Sequence, residues 1–245
     1  MNFKDKVVVI TGGAKGIGKI ITEEFMAAGA KTAVIDLDSG KVPSNLYFQG
    51  DIAEEETLAR FASKVIDQFG KIDYLINNAC LSRKGILSGC SFEDFNYVLR
   101  VGVSAPYHLT RLFLDHFNEK GAVVNISSSR AFMSQADTES YTAAKGGITA
   151  LTHAMAVSLA GKVRVNSIAP GWIDTTMETW SEEDENQHPV KRIGNPADIA
   201  RTVMFLCSED SGFINGENIT VDGGMTKLMI YHNDYGWRYD GDTGH

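Results

Sequence analysis

The stretch KVVVITGGAKGIG, residues 6–18, decides the fold of this chain of 245 residues. Its first half holds a continuous run of β-branched side chains, Val7–Ile10, which is typical of a strand buried on both faces of a parallel sheet. A glycine-rich turn follows at once, and the amphipathic run over residues 16–30 predicts a helix. A strand, a glycine-rich turn and a helix in direct succession predict the first unit of an open α/β sheet.

The glycines of this turn have different physical roles. Gly12 permits the tight turn, Gly16 lets the backbone approach a pyrophosphate, and Gly18 allows the helix to pack against the strand. The first N–H groups of the helix are unpaired and carry a partial positive charge that favours phosphate. We therefore predict that this loop, including Lys15 and Ile17, binds a dinucleotide; the alternative is a purely structural turn.

Strand-like and helical runs alternate along the rest of the chain. The predicted strands cover residues 6–13, 31–38, 44–50, 72–79, 122–128, 163–171 and 217–224. The predicted helices cover residues 16–30, 56–70, 141–161 and 196–208. Seven strands with helical crossovers predict a doubly wound Rossmann-type α/β fold, with a parallel sheet of about seven strands and helices on both faces. No repeat or linker interrupts this order, so we interpret residues 1–245 as a single domain.

One of these segments has a second interpretation. SNLYFQG, residues 44–50, looks like the recognition site of a tag-removing protease. Its alternating pattern favours a native strand, and we treat it as one.

Composition excludes several classes of function. Hydrophobic residues make up 43% and charged residues 22%, as in ordinary globular proteins, and the formal net charge is −8. An acidic chain without a basic cluster is not expected to bind nucleic acid or an anionic membrane. No apolar run approaches the roughly 18 residues of a membrane span, and the first residues lack a signal-peptide pattern. Three scattered cysteines, Cys80, Cys90 and Cys207, have no metal-binding spacing, so we expect reduced thiols, no metal and a cytoplasmic protein.

Two aspartates follow predicted strands at positions where a nucleotide would lie. Asp36 comes 18 residues after Gly18, where a carboxylate can accept hydrogen bonds from both ribose hydroxyls and would repel a 2′-phosphate. This position favours NAD over NADP, although Lys15 acts weakly in the other direction. Asp51 either meets the adenine amino group or caps the helix that follows it.

A tyrosine and a lysine, Tyr141 and Lys145, lie four residues apart on one helix face. A phenol is a poor acid or base near neutral pH, and a neighbouring ammonium favours its phenolate form. Any helix can carry such a surface pair, but Ser128 stands thirteen residues before Tyr141, at the end of a predicted strand. Ligands of open α/β sheets bind at that edge, so we predict a catalytic group of three.

The chain resembles the short-chain dehydrogenase/reductase family over nearly its whole length, from Thr11 to about Gly224. The family's motifs occur here in order and at similar spacing: TGGAKGIG, NNA (77–79), NISS, YTAAK, APGWIDT and VDGG. The resemblance implies that Tyr141 is the general acid/base, that Lys145 holds the nicotinamide ribose, and that Ser128 polarises the substrate oxygen. Asn77 would lie beside the adenosine ribose and stabilise the central strand. The other cofactor contacts that it implies are Ile52, Asn78, Ala79, Pro170, Gly171, Ile173 and Thr175.

The chain departs from the family pattern at two positions. Cys80 replaces the glycine of the family's NNAG motif, and we expect a buried, inert thiol rather than a redox switch. Gly102 replaces an Asn, the family's fourth catalytic residue, whose backbone carbonyl holds a water in a relay to the lysine. Pro106 has no N–H to donate to the carbonyl of residue 102, so the pair predicts a kinked helix with a free Gly102 carbonyl near Lys145. By this route Gly102 would keep the catalytic role.

The remaining candidates lie near the expected substrate pocket. Residues 176–192, within a lid of about 175–195, should cover it, with Trp172, Met177 and Trp180 as an apolar wall. Arg130 either pairs with a substrate carboxylate or lies in solvent. The aromatic tail, about residues 225–245, is expected to pack over the active-site mouth or another subunit, with its last residues, 240–245, disordered.

These features together predict an NAD(H)-dependent oxidoreductase that interconverts a secondary alcohol and a ketone. The alternatives are a non-catalytic NAD(P)-binding sensor or scaffold that has lost the proton relay, and an NADP-dependent acyl-thioester reductase. Asp36 and the lack of a basic patch for an acidic carrier protein speak against the last. The resemblance also implies a homo-oligomer, either a tetramer or a dimer, built partly from the helices of Gly102 and Tyr141.

Overall fold

The computed structural model describes residues 1–40, 42–176 and 178–238. Seven strands form one sheet in the order β3-β2-β1-β4-β5-β6-β7, and every neighbouring pair is parallel. The strands are β1 (Val7–Thr11), β2 (Lys31–Asp36), β3 (Leu46–Gln49), β4 (Ile72–Asn77), β5 (Phe117–Ile126), β6 (Val163–Pro170) and β7 (Asn218–Val221). The predicted doubly wound α/β fold is confirmed.

Helices connect the strands and cover both faces of the sheet. They are α1 (Gly16–Ala27), α2 (Glu55–Phe69), α3 (Phe92–Leu99), α4 (Ala105–Leu112), α5 (Glu139–Ser158), α6 (Glu182–Asn186) and α7 (Pro196–Cys207). Helices α1 and α7 pack together on one face, where Phe25 and Val203 are fully buried. On the other face, α2, α4 and α5 bury a second cluster that includes Phe61 and Leu109.

The central strands read as continuous apolar runs because both of their faces are covered. Every residue of β1 and of β4 is buried, as predicted for the inner strands of a doubly wound sheet. The segment 44–50 forms the edge strand β3, which confirms its interpretation as a native strand. None of the helices among the described residues is long and apolar enough to cross a membrane.

Most elements differ from their predicted bounds by a few residues, and two differences have a clear structural basis. Strand β5 begins at Phe117, before the predicted residue 122, because Phe117 already pairs with Ile72 ahead of an irregularity in the ladder. Helix α5 runs from Glu139 to Ser158 and so ends three residues before the predicted stop at Gly161, which lies in the turn that leads into β6.

The connection between β4 and β5 contains an interrupted helix. A π-helical turn, Arg100–Ser104, separates α3 from α4, and the N–H of Ala105 donates to the carbonyl of Arg100, five residues earlier. Pro106 follows directly and cannot donate to the carbonyl of residue 102. The helix therefore departs from regular α-helical geometry at Gly102, while the predicted kink and the free Gly102 carbonyl stay predictions.

Packing gives a second reason for the glycine in this turn. A Cβ on Gly102 would lie 2.8 Å from the Cβ of Ala144 in α5, closer than real Cβ atoms approach. On the opposite side of the contact, a Cβ on Gly147 would lie 3.0 Å from Cγ2 of Val103. The π-helical turn and α5 thus approach one another more closely than two residues with side chains would allow.

This contact predicts that Gly102→Ala destabilises the protein by about 1–3 kcal/mol through overpacking. Ala144→Gly in the same chain should recover part of the loss, because it removes the methyl group that the new Cβ meets. Gly146→Ala is the matched control: no atom lies within 4 Å of its added Cβ, so stability should stay the same or rise. Urea unfolding measures the free energy of unfolding of the two single variants, Gly102→Ala and Ala144→Gly, of the double variant and of the control. If the losses of the two single variants simply add in the double variant, the packing argument is contradicted.

Candidate active site

The predicted site residues lie at or just after the carboxyl ends of strands, or on the helical segments that follow these ends. Because the strands are parallel, these ends meet at one edge of the sheet, called here the carboxyl edge. The order of the strands reverses between β1 and β4, so the loops after these two strands diverge and leave a crevice. The fold therefore brings residues that are distant in sequence to one side of the molecule.

The glycine loop packs tightly against the loop after β4. A Cβ on Gly18 would lie 2.1 Å from the carbonyl oxygen of Gly12, so α1 begins in contact with the strand that precedes it. The side chain of Asn78 donates to this same oxygen at 2.8 Å and to the carbonyl of Thr11 at 3.1 Å. Gly16 has a φ of +55°, and its missing side chain faces Thr175.

A groove of about 410 Å³ lies beside this loop. Nine of the predicted cofactor-binding residues line it: Gly12, Lys15, Ile17, Asp36, Asp51, Ile52, Asn78, Ala79 and Thr175. Sequence reasoning missed several further lining residues, including Leu37, Asp38, Leu81, Arg83, Tyr97 and Val101. A loop with no Cβ at its tightest point, beside an open groove at a helix N-terminus, fits a bound dinucleotide.

The carboxylate of Asp36 is buried and tied to the backbone on both sides. Its Oδ2 accepts from the N–H of Ala14 at 2.8 Å, and its Oδ1 accepts from the N–H of Asp38 at 3.1 Å. Asp38 in turn pairs with Lys15, whose Nζ lies 2.8 Å from its Oδ2. The hydrogen bond and charge of Asp38 raise the pKa of Lys15. Lys15, the cation of the glycine loop, is therefore paired with Asp38. The sequence DLD at 36–38 could have indicated this partner.

Asp51 does not cap the helix that follows it. Helix α2 begins at Glu55 with Glu54 as its N-cap residue, so the capping interpretation is wrong. Instead, Oδ1 of Asp51 accepts from the N–H of Ala53 at 2.8 Å, and Oδ2 accepts from the hydroxyl of Tyr97 at 2.8 Å. Burial, together with the hydrogen bond to Asp51, raises the pKa of Tyr97 to about 12, so its hydroxyl remains a donor at neutral pH.

Ser128, Tyr141 and Lys145 lie where β5 and α5 meet. Lys145 is 3% exposed, and its Nζ donates to the carbonyl of Ile126 at 2.7 Å. The same Nζ is 5.4 Å from the ring centroid of Tyr141. Ser128 is buried, and its Oγ accepts from the N–H of Arg130 at 3.1 Å, which leaves the hydroxyl proton free to donate elsewhere.

The segment after β6 forms the base of the predicted lid. Ile173 pairs with Gly194, and the N–H of Gly194 donates to the carbonyl of Trp172 at 3.1 Å. Gly171 fits closely against Asp222, where a Cβ would lie 2.6 Å away, and Pro170 ends β6 beside Val221. Thr175 reaches the groove, whereas Pro170, Gly171 and Ile173 do not line it.

The predicted apolar wall is present in part. Trp172 and Trp180 pack edge to face with ring centroids 4.7 Å apart, while Met177 lies outside the described residues. His188, which sequence reasoning missed, is 1% exposed, and its ring centroid lies 6.2 Å from that of Trp172. Its ring nitrogens and Nε1 of Trp180 are buried without a hydrogen-bond partner in the described part of the chain.

Two further expectations concern the surface of the site. Tyr231 and Trp237 of the aromatic tail are exposed and do not line the groove, and packing of the tail over the active-site mouth stays a prediction. A contact with another subunit stays a prediction, and residues 240–245 lie outside the described part. The acidic residues of the lid form the short helix α6, in which Glu182, Glu183 and Glu185 are exposed.

Cys80 is not buried, so the expectation of a buried thiol was wrong. Cys80 is exposed and lines the groove, because it follows the carboxyl end of β4 rather than entering the core. Its φ is not positive, so the cysteine fits without backbone strain.

The side chain of Asn77 is buried and donates to Oδ1 of Asn125 at 2.8 Å, which joins β4 to β5.

A second, larger cavity of about 610 Å³ lies at the amino-terminal ends of the strands. Lys6, Tyr74, Arg164 and Cys207 are among its lining residues, and no predicted site residue lines it. The guanidinium of Arg164 is engaged by backbone carbonyls there, including that of Leu206 at 2.9 Å. The predicted cofactor residues that line a cavity therefore line the smaller groove at the carboxyl edge, whereas Ser128, Tyr141 and Lys145 line neither cavity.

Comparison with known proteins agrees with this geometry. Residues 12–226 match the family described as enoyl-(acyl carrier protein) reductase. The chain is 34% identical to (2S)-[(R)-hydroxy(phenyl)methyl]succinyl-CoA dehydrogenase subunit BbsD of Thauera aromatica, over 92% of this chain and 98% of that protein.

Two solved structures are similar over nearly their whole length. One is an apo SCOR enzyme from Clostridium thermocellum, with 48% identity and a TM-score of 0.90 over 97% of this chain and 99% of that one. The other is a short-chain dehydrogenase/reductase from Brucella melitensis described as glucose/ribitol dehydrogenase, with 29% identity and a TM-score of 0.86 over 94% and 100% of the two chains. Sequence motifs, sheet order and these matches agree, and the chain belongs to the short-chain dehydrogenase/reductase family of oxidoreductases.

Proposed function

We propose that this protein interconverts a secondary alcohol and a ketone with NAD(H), using Tyr141 as the general acid/base. The observation that carries the proposal is the convergence of Ser128, Tyr141 and Lys145 at the carboxyl edge, the same edge of the sheet at which the groove lies. A relative whose name specifies a hydroxy(phenyl)methyl group, which is a secondary alcohol, supports the substrate class. The family uses a nicotinamide cofactor, NAD or NADP, which supplies the acceptor or donor for the hydride of the alcohol carbon.

The chain's own residues handle the proton and the oxygen. Ser128 would donate its free hydroxyl proton to the substrate oxygen, since its Oγ already accepts from a backbone N–H. Tyr141 would take the hydroxyl proton during oxidation and return it during reduction. Lys145, fixed by the carbonyl of Ile126, holds a positive charge 5.4 Å from the ring centroid and would stabilise negative charge on the tyrosine oxygen.

Tyr141→Phe should lower kcat by about 10²–10⁴-fold, because it removes the group that transfers the proton. Binding of NADH, followed by its fluorescence, should change little. Tyr107→Phe is the matched control, since Tyr107 is an exposed tyrosine of α4 outside the site, and it should leave both quantities unchanged. Tight nucleotide binding without turnover of any alcohol or ketone, in wild type and variant alike, would favour the sensor or scaffold alternative.

The cofactor preference for NAD rests on the charges at the adenosine end of the groove. Asp36 and Asp38 both line it, and Lys15 is engaged by Asp38 rather than being free to meet a 2′-phosphate. Both oxygens of Asp36 keep a lone pair for the ribose hydroxyls after their backbone hydrogen bonds. The same charges disfavour an NADP-dependent acyl-thioester reductase, the function class nearest to the name of the matching family.

Asp36→Ala should tighten NADPH relative to NADH by at least about tenfold, because a like charge close to the 2′-phosphate costs several kcal/mol. Asp38→Asn should shift the ratio in the same direction by a smaller factor, since it releases Lys15. Asp67→Asn, on the exposed side of α2, serves as the charge control. Fluorescence titration gives the dissociation constants, and an unchanged ratio in Asp36→Ala would refute the assignment.

We also propose that the π-helical turn keeps the role of the missing Asn. Gly102 packs on Ala144, the neighbour of Lys145, and Pro106 withholds the N–H that a regular helix would direct to the carbonyl of Gly102. In this proposal the carbonyl of Gly102, which cannot accept from residue 106, holds a water in a relay to Lys145.

Pro106→Ala restores the missing N–H and should convert the π-helical turn to a regular helix. We expect a lower kcat with nearly unchanged NADH binding, because the carbonyl of Gly102 would become occupied. Steady-state kinetics measures the effect, with urea unfolding to establish that the variant is folded. A folded variant with wild-type kcat would show that the carbonyl has no part in proton transfer.

A further inference from the structure

We propose that Arg130 binds a carboxylate group of the substrate, so that the preferred substrates are short hydroxy acids and the corresponding oxo acids. The inference rests on the proposed function, since it names the class of secondary alcohol and ketone that this site takes. It is carried by a positive charge that lies beside the catalytic tyrosine and lacks an acidic partner among the described residues.

Arg130 contacts both groups that would bind the reacting oxygen. Its backbone N–H donates to Oγ of Ser128 at 3.1 Å. Its guanidinium carbon lies 5.9 Å from the ring centroid of Tyr141. The backbone of Arg130 therefore contacts the serine, and its guanidinium lies beside the tyrosine ring.

The guanidinium is held in place by a neutral group. It donates to the side-chain oxygen of Gln135, five residues along the chain, and no carboxylate within the described ranges forms an ion pair with it. Arg83, Arg100 and Arg192, in contrast, each pair with an aspartate or glutamate. A guanidinium has five N–H donors, so Gln135 positions it and leaves most of its hydrogen-bonding capacity free.

The acidic residues nearest to Arg130 in sequence are engaged elsewhere. Oδ1 of Asp137 accepts from the N–H groups of Leu87 at 2.8 Å and Ser88 at 3.1 Å. Oε2 of Glu139 accepts from the N–H of Ile86 at 3.0 Å. These carboxylates fix the loop after β4 against the start of α5, so Arg130 has no acidic partner within the ranges that the structure describes.

The chemistry of this cation selects a planar anion. Guanidinium and carboxylate form two parallel hydrogen bonds, which fix orientation as well as add affinity. Arg130 is half-buried, so a pair formed there is screened less by solvent than a pair on the open surface. A carboxylate held by Arg130 would orient the substrate with its hydroxyl or carbonyl oxygen toward Ser128 and Tyr141.

The test compares acids with their own esters, which differ in charge but keep the reacting alcohol. Lactate, 3-hydroxybutanoate and 4-hydroxypentanoate would each be assayed with NAD beside the methyl ester. For at least one pair, wild type should show kcat/KM for the acid about tenfold or more above that for the ester, as expected for a charge-assisted pair. Arg130→Gln should reduce kcat/KM for the acid by about 10–100-fold and leave the ester nearly unchanged.

Two further variants separate binding from a merely structural role. Arg130→Lys keeps the charge but loses the paired geometry, so it should retain an intermediate preference for the acid. Arg201→Gln removes an exposed arginine of α7 and should leave the acid-to-ester ratio unchanged. NADH binding and urea unfolding establish that each variant is folded.

The outcomes distinguish this inference from the proposed function. Turnover of neutral alcohols or esters with no preference for any acid would overturn the role of Arg130 and leave the proposed function standing. An equal loss for acid and ester in Arg130→Gln would also overturn it, since the charge would then act on Tyr141 rather than on the substrate. Absence of turnover with every acid, ester and neutral alcohol would overturn the proposed function and this inference together.

Discussion

The close approach of α1 to the strand before it determines the geometry of the whole carboxyl edge. A Cβ on Gly18 would lie 2.1 Å from the carbonyl oxygen of Gly12, and Asn78 donates to this same oxygen. One carbonyl thus joins β1, α1 and the loop after β4. Because the loop is held in this position, the N–H of Ala14 reaches Asp36 at the end of β2. The loop after β1, the end of β2 and the loop after β4 are thus fixed relative to one another beside the groove.

Charge is distributed unevenly along the site. At one end, Asp36, Asp38 and Asp51 line the groove, and the two cations that line it, Lys15 and Arg83, are paired with Asp38 and Asp94. At the other end, Lys145 and Arg130 lie 5.4 and 5.9 Å from the ring centroid of Tyr141. Fixed positive groups at a site of proton transfer stabilise negative charge that develops on oxygen, and they need no reorganisation during the reaction. This polarity is consistent with chemistry on an alcohol or carbonyl oxygen beside Tyr141.

The two departures from the family pattern have different structural consequences. Cys80 lies in the open groove with an ordinary backbone conformation, so the substitution adds a side chain to the groove wall and leaves the fold unstrained. Gly102 lies in a π-helical turn against Ala144, where a larger residue would force α5 away. The second departure is therefore compensated by the packing of a neighbouring helix, which no single motif reveals.

The sequence by itself determined the doubly wound α/β fold class, the seven strands and the glycine loop, and it predicted that Ser128, Tyr141 and Lys145 lie at one edge of the sheet. These features follow from local periodicity and from the rule that parallel strands end at the same edge. Only the tertiary structure decided which side chains pair: Asp38 with Lys15, Tyr97 with Asp51, and Asp137 with the loop after β4. It also decided that Cys80 is exposed and that Arg130 lies over Tyr141 without an acid beside it in the described chain. Such contacts join residues from separate elements, and their distances depend on how the helices pack, which a one-dimensional pattern does not contain.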